Sequence, residues 1–86
     1  PNPFNPATKI KFDISGTFAA QTFLSVYDML GREVDILVNT DLQPGTYEVD
    51  WDGSNYASGV YYYKLSVLNS GSSVKYQETK RMLLIK

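Results

Sequence analysis

The chain has neither cysteine nor histidine among its 86 residues. No disulfide and no thiolate or imidazole metal site can therefore form, and cysteine usage gives no indication of the redox compartment. The Ser-His and Cys-His pairs that activate a nucleophile in many hydrolases are excluded for the same reason. We expect a protein that is not an enzyme and that needs no cofactor.

Strong net charge and long apolar runs are absent as well. Eight basic and nine acidic residues give a net charge of -1, which argues against a nucleic acid partner because phosphate binding needs a basic surface. No apolar run approaches the ~20 residues of a membrane-spanning helix, so no transmembrane segment is predicted. The chain begins at Pro1 without a signal peptide. We expect it to be a piece of a larger protein, with any export signal upstream.

Alternation of apolar and polar residues predicts β-strands along most of a single domain that spans residues 1–86. In residues 8–14, Ile10, Phe12 and Ile14 form one face and charged residues form the other. Similar patterns predict strands at residues 22–28, 33–38, 46–51, 60–68 and 74–86. We count about seven short strands at roughly ten-residue spacing, which predicts an all-β sandwich of two antiparallel sheets.

Two of these strands carry specific predictions about the core. In residues 33–38 the pattern puts Val34, Ile36 and Val38 on the core face and Leu37 on the opposite face. The strand at residues 60–68 should be central, because β-branched and aromatic residues dominate it. Its odd positions, Tyr61, Tyr63, Leu65 and Val67, should face the core.

Aromatic residues are concentrated in residues 51–65, which hold the only tryptophan and four of the seven tyrosines. We predict that Trp51 is buried and anchors the loop before the central strand. An exposed platform for a carbohydrate or peptide is the alternative, and it would use Trp51, Tyr56, Tyr61, Tyr62 and Tyr63. The alternation favours core packing, with Tyr62 alone on the outward face.

Residues 50–55 contain a weak candidate for a calcium site. Asp50, Asp52 and Asn55 place side-chain oxygens at spacings similar to those of a calcium loop. Such a loop also needs a bidentate Glu near its twelfth position, where this chain has Tyr61. Turn residues that bond nearby backbone amides are the simpler interpretation, and a calcium site is the weaker alternative.

Six short motifs occur in an order that is more specific than any one of them. They are PNPFNP at residues 1–6, YDMLGREV at 27–34, LQPGTY at 42–47, WDG at 51–53, SGVYYYKL at 58–65 and KRMLLIK at 80–86. Together they resemble the type A C-terminal sorting domain of the type IX (Por) secretion system over essentially the whole chain. The same motifs resemble the Ig-like domain of the flagellar hook-capping protein, which is the alternative family.

The resemblance to the sorting domain implies an Ig-like β-sandwich that is not catalytic. Its partners would be the translocon, shuttle and sortase components of type IX secretion and the upstream cargo domain of the same chain. The parent would pass through the periplasm and outer membrane and be secreted or held at the cell surface, and a sortase commonly removes the domain. The other class of function is a structural or accessory module of an extracellular enzyme or adhesin.

Recognition residues carried over from the resemblance lie in three motifs. They are Gly31 and Arg32 of the DxxGR turn, Gly59, Val60 and Tyr61 of the GVY motif, and Lys80, Arg81 and Lys86 of the basic-apolar-basic end. The apolar run inside that end is expected to be an edge strand that a receptor could extend by β-addition.

Overall fold

The computed structural model describes residues 7–69 and 73–86, and this part of the chain contains six strands and no helix. The strands are β1 Ala7–Ile14, β2 Ala20–Tyr27, β3 Glu33–Leu42, β4 Gly45–Asp52, β5 Gly59–Leu68 and β6 Val74–Leu84. The all-β prediction is confirmed, with six strands in the described residues where about seven were expected. The PNPFNP motif lies outside these residues. Within them, no helix is available to cross a membrane.

The strands form two antiparallel sheets. β1 and β4 make a two-stranded sheet, and the order β3-β2-β5-β6 makes a four-stranded sheet. In the smaller sheet Ala7 lies opposite Asp52 and Ile14 lies opposite Gly45. The arrangement is compatible with a small β-sandwich, and it makes β5 central and β6 an edge strand, as predicted.

The core lies between the two sheets and draws on every strand that shows clean alternation. Its buried apolar side chains include Ile10, Phe12, Ile14, Leu24, Val26, Trp51, Tyr61, Tyr63, Leu65, Val67, Met82 and Leu84. The predicted inward faces of residues 8–14 and 60–68 are therefore confirmed. In β6 the buried side chains are confined to its C-terminal end, and residues 74–77 are exposed.

The aromatic residues of the 51–65 stretch pack into this core. Trp51 is 0% exposed, and its ring centroid lies 5.1 Å from that of Tyr61 and 5.5 Å from that of Tyr56. Tyr63 is also buried, whereas Tyr62 is half-buried on the outward face. An exposed platform built from all five rings is therefore ruled out, because three of them are inside the sandwich.

One prediction about β3 is wrong. Ile36 is 54% exposed, while Leu37 packs against the core beside Val34 and Val38. The register shifts where Leu24 pairs with Val38 but the next residue, Ser25, pairs with Ile36. Leu37 is thus the extra residue of one β-bulge, and Val34 is the extra residue of a second, since Val26 pairs with Asp35 but Tyr27 pairs with Glu33. The first bulge turns Ile36 outward, and after the second Val34 again lies against the core.

Candidate recognition surface

The turn between β2 and β3, residues 28–32, is closed almost entirely by Asp28. The amide of Asp28 donates to the carbonyl of Arg32 at 2.9 Å, and the amide of Gly31 donates to the carbonyl of Asp28 at 3.0 Å. Oδ1 of Asp28 accepts from the amides of Leu30 and Arg32, at 2.9 and 3.0 Å. Gly31 has a φ of 85°, which glycine adopts without the strain other residues incur. The turn is therefore a defined structure and not a loose loop.

The charged groups of this turn are used within it. Nε of Arg32 donates to Oδ2 of Asp28 at 2.7 Å, as an ion pair. Hydrogen bonds, first of all from the Arg32 amide, hold the pKa of the Asp28 carboxyl below its ordinary value. Met29 and Leu30 remain 70% and 79% exposed at the tip. The predicted recognition residues Gly31 and Arg32 thus shape a turn that presents two apolar side chains to solvent.

Pairing of β5 with β6 brings the GVY motif against the basic-apolar-basic end. Gly59 lies opposite Leu84, Val60 opposite Leu83, and Tyr62 opposite Arg81. On its other side Tyr62 lies opposite Tyr27 of β2, the residue before the turn. The side chains of Tyr27, Tyr62 and Arg81 therefore form a row on the outer face, the face of the four-stranded sheet that points away from the smaller sheet.

Three motifs that are distant in sequence meet at this end of the outer face. We call it the motif corner, and it consists of residues 27–32, the outward side chains of residues 60 and 62, and those of residues 81 and 83. Leu83 is 64% exposed there. A groove of about 300 Å³ lies between the turn and β5, lined by Tyr27, Met29, Gly31, Tyr62 and Lys64 among others. Sequence reasoning put Tyr62 on the outward face of its strand, but it did not assign Tyr27, Tyr62 or Lys64 to this site.

Tyr61 of the GVY motif supports the corner from inside. It is 7% exposed, packs on Trp51, and donates from its hydroxyl to the carbonyl of Ala57 at 2.7 Å. Gly59 and Val60 are half-buried where β5 begins. The motif therefore sets the register and packing of the strand, and Val60 is its residue on the outer face.

Lys80 does not join the motif corner. Its side chain lines a separate groove of about 360 Å³ between β1 and β6. Nζ of Lys80 lies 3.8 Å from Oε1 of Glu78. Arg81, one residue later, points to the opposite face, because successive side chains of a strand alternate.

Lys86 binds the loop between β4 and β5. Its Nζ donates to the carbonyl oxygens of Ser54 and Tyr56, at 2.6 and 2.9 Å, and its amide donates to Oγ of Ser58 at 3.1 Å. We call these contacts the Lys86 clamp. The hydroxyl of Tyr56 donates to the carbonyl of Val34 at 2.8 Å, which ties the same loop to β3. The spacing of the sequence gave no signal for this clamp, because its acceptors are backbone carbonyls.

The calcium candidates are engaged in local contacts. Oδ1 of Asp50 accepts from Nζ of Lys9 at 3.3 Å. Oδ1 of Asp52 accepts from both the hydroxyl and the amide of Ser54, and these bonds, the hydroxyl first, lower the pKa of Asp52. Asn55 is exposed in the turn. Within residues 7–69 and 73–86, no group of three or more acidic, histidine or cysteine side chains is placed to hold a metal ion.

Comparison with known proteins identifies a family. The family model described as "Secretion system C-terminal sorting domain" matches residues 1–81. Searches of curated proteins and of solved structures found no match. Since the matched segment covers nearly the whole chain and contains the turn, the GVY motif and Arg81, this chain belongs to the family of secretion system C-terminal sorting domains, which are signals of type IX secretion.

Proposed function

We propose that the type IX machinery reads this domain at the motif corner and thereby exports the protein that carries it. The proposal extends to the route, which leads across the inner membrane by a separate N-terminal signal, through the periplasm, and across the outer membrane by the translocon. A sortase then removes the domain and leaves the cargo in the medium or on the cell surface. The translocon, its shuttle and the sortase are the proposed partners.

The observation that supports this location is the meeting of three separated motifs at one exposed corner. A core explains why Tyr61 and Leu84 are apolar, but it does not explain Met29, Leu30 and Leu83, which are all more than half exposed. Exposed apolar side chains gathered in one place are typical of a binding surface. The rigid turn beneath two of them reduces the ordering cost of binding.

Each predicted recognition residue has a distinct part in this proposal. Gly31 and Arg32 fix the turn, while Gly59, Val60 and Tyr61 fix β5 against β6. Arg81 presents a cation on the outer face, and Lys86 holds the end of the chain in place. Lys80 lies on the other side of β6, so we assign it to the groove between the sheets.

The outer edge of β6 offers a second mode of contact that is compatible with the first. β6 pairs only with β5 in the described residues, so a receptor strand could add to its free edge. Hydrogen exchange of residues 82–85 measures this contact. Protection that increases in complex with the receptor supports strand addition, and amides left unprotected both alone and in complex contradict it.

An export assay tests the proposed function. Residues 1–86 are fused to the C-terminus of a fluorescent protein with an N-terminal export signal, in a bacterium with an intact type IX system. The variant Met29→Ser with Leu30→Ser removes the apolar tip without touching the core. We expect fluorescence outside the cell for the unchanged domain and retention in the periplasm for this variant. A translocon-deficient strain should retain both.

Phe18→Ser is the matched control, because Phe18 is 82% exposed and lies in the loop between β1 and β2 at the opposite end of the sandwich. We expect export of this control at the unchanged level. Thermal melting of each purified domain establishes that it is folded. Unchanged export of the folded Met29, Leu30 variant would show that the corner is not the address, and export in the translocon-deficient strain would reject the type IX route.

A further inference from the structure

The groove at the motif corner is bordered by two cations that have no ionic partner in the described part of the chain. Lys64 lines the groove, and Arg81 lies directly opposite Tyr62, which forms one of its walls. Lys64 pairs with Thr79, two residues from Arg81, so the two cations are diagonal neighbours, a relation that places residues about 7–8 Å apart, with their Cβ atoms somewhat closer. One carboxylate could contact both.

One carboxylate, that of Asp28, is among the groups that line the groove. It is paired with Arg32 at 2.7 Å, and only 14% of its side chain is exposed, so its charge is neutralised within the turn. Glu33 lies opposite Tyr27, so it occupies the far end of the row that runs from Arg81 through Tyr62 and Tyr27. The groove therefore has Lys64 of β5 in its lining, Arg81 of β6 just beyond it, and apolar walls beneath the turn.

We propose that this groove binds an extended peptide segment of the receptor in which a carboxylate side chain stands beside an apolar one. The carboxylate would lie between Lys64 and Arg81, and the apolar side chain would lie among Tyr27, Tyr62 and Met29. A groove of about 300 Å³ has room for one or two side chains. The inference deepens the proposed function, on which it rests, by naming the chemistry of the partner.

A peptide fits these features better than an anionic membrane does. Sequence elements that bind anionic lipid surfaces use clusters of about 4–8 basic residues, whereas the groove has two, in a chain whose net charge is -1. Tyrosine side chains next to two neighbouring cations are instead typical of protein interfaces, in which tyrosine and arginine are enriched.

Nuclear magnetic resonance titration of the isotope-labelled 86-residue chain tests the inference. The probes are acetyl-Leu-Glu-Leu-amide and the matched acetyl-Leu-Gln-Leu-amide. We expect shifts of the amides of Tyr27, Gly31, Tyr62, Lys64 and Thr79 with the first peptide. The second should bind roughly tenfold more weakly, the effect of losing a charge-assisted contact.

The variant Lys64→Gln with Arg81→Gln should weaken binding of the glutamate peptide by roughly tenfold and remove its preference over the glutamine peptide. Lys11→Gln is the matched control, because Lys11 is a cation on the two-stranded sheet with an exposed side chain; its binding should be unchanged. Equal binding of the two peptides, or shifts located elsewhere, would overturn the inference. So would binding only to phosphatidylglycerol vesicles.

The two proposals fail in different ways. If the Lys64, Arg81 variant binds the peptide as before yet is no longer exported, the corner is an address but not one for a carboxylate. If the peptide binds as expected and the variant is exported normally, the groove is real and the machinery reads another surface. That second result leaves the peptide site standing and rejects the proposed recognition surface.

Discussion

At the scale of single residues, Trp51 is the largest fully buried side chain of the core. It is fully buried, and its Nε1 has no hydrogen-bond partner among the described residues. We expect Trp51→Ala to lower the free energy of unfolding by about 3–5 kcal/mol, through lost contacts and a cavity. Trp51→Phe should cost less, since it keeps a ring and gives up an N–H that makes no bond.

Urea denaturation of the two Trp51 variants measures both costs. A loss below roughly 1 kcal/mol for the alanine variant would mean that the ring contributes little to the core. A phenylalanine variant as unstable as the alanine variant would mean that Nε1 has a partner, such as an ordered water, whose loss is costly.

Asp28 should make stability depend on pH. Its folded pKa is held below the ordinary value of 3.8, mainly by the Arg32 amide. Its stabilising effect is therefore complete above that value and disappears as the pH falls through the lower folded pKa. At pH 7 we expect the unchanged chain to have a higher melting temperature than the Asp28→Asn variant. The difference between the two melting temperatures should disappear in strong acid.

Melting curves of the pair at pH 7 and pH 2 test this sign. The asparagine variant keeps an acceptor for the backbone amides, so the comparison removes the charge together with its contact to Nε of Arg32. A gap that widens in acid would contradict the assignment. The lowered pKa of Asp52 adds the same pH dependence to both chains and cancels in the difference.

At the scale of strands and turns, regular alternation predicted β1, β4 and β5 because each has one face against the core, and the one register shift among them lies at the end of β5, between Val67 and Leu68. β3 could not be predicted in the same way. Its bulge at Leu37 follows from pairing with β2, and a partner strand is not visible in a local pattern. The exposed first half of β6 is also a strand, because backbone pairing with β5 does not require apolar side chains.

The turn at residues 28–32 should depend on glycine at position 31. A Cβ there would meet no atom within 4 Å, but the φ of 85° would strain it. We expect Gly31→Ala to cost about 1–2 kcal/mol of unfolding free energy, measured by urea denaturation. Gly31→Asn is the control, and it should cost less because asparagine tolerates this conformation. Equal costs would point to an effect other than backbone strain.

The Lys86 clamp should restrain the end of β6. We expect Lys86→Ala to speed amide exchange of residues 83 and 84 by on the order of tenfold, because two hydrogen bonds from its Nζ are lost. Amides of residues 77 and 78, at the other end of β6, serve as the internal control. Uniform acceleration along the strand would mean that the whole domain, and not its end, has been loosened.

At the scale of the whole molecule, the sequence carries the motifs but not their meeting place. The family could be identified from motif order alone. The motif corner depends on β2 lying beside β5 and on the register that sets Tyr62 against Arg81. Both are long-range pairings, and for that reason Tyr27, Tyr62 and Lys64 could not be predicted as neighbours of the turn.

The two ends of the described chain lie at one pole of the sandwich. Ala7 pairs with Asp52. Lys86 binds the carbonyl oxygens of Ser54 and Tyr56, which follow Asp52 by two and four residues. A stretching force applied at Ala7 and Lys86 acts across the strands, so it separates β1 from β4 and β6 from β5 one bond at a time. Thr17 lies at the opposite pole. When the force is instead applied at Thr17 and Lys86, it acts along the length of the strands.

We expect a markedly lower unfolding force in the first direction than in the second, measured on single molecules in an optical trap. Equal unfolding forces in the two directions would mean that the strands at this pole do not separate one hydrogen bond at a time. Residues 81 and 83 of the motif corner lie on β6 at this pole, paired with the start of β5. A pore that draws the chain in by this end would therefore meet little resistance, and it would take the motif corner apart first.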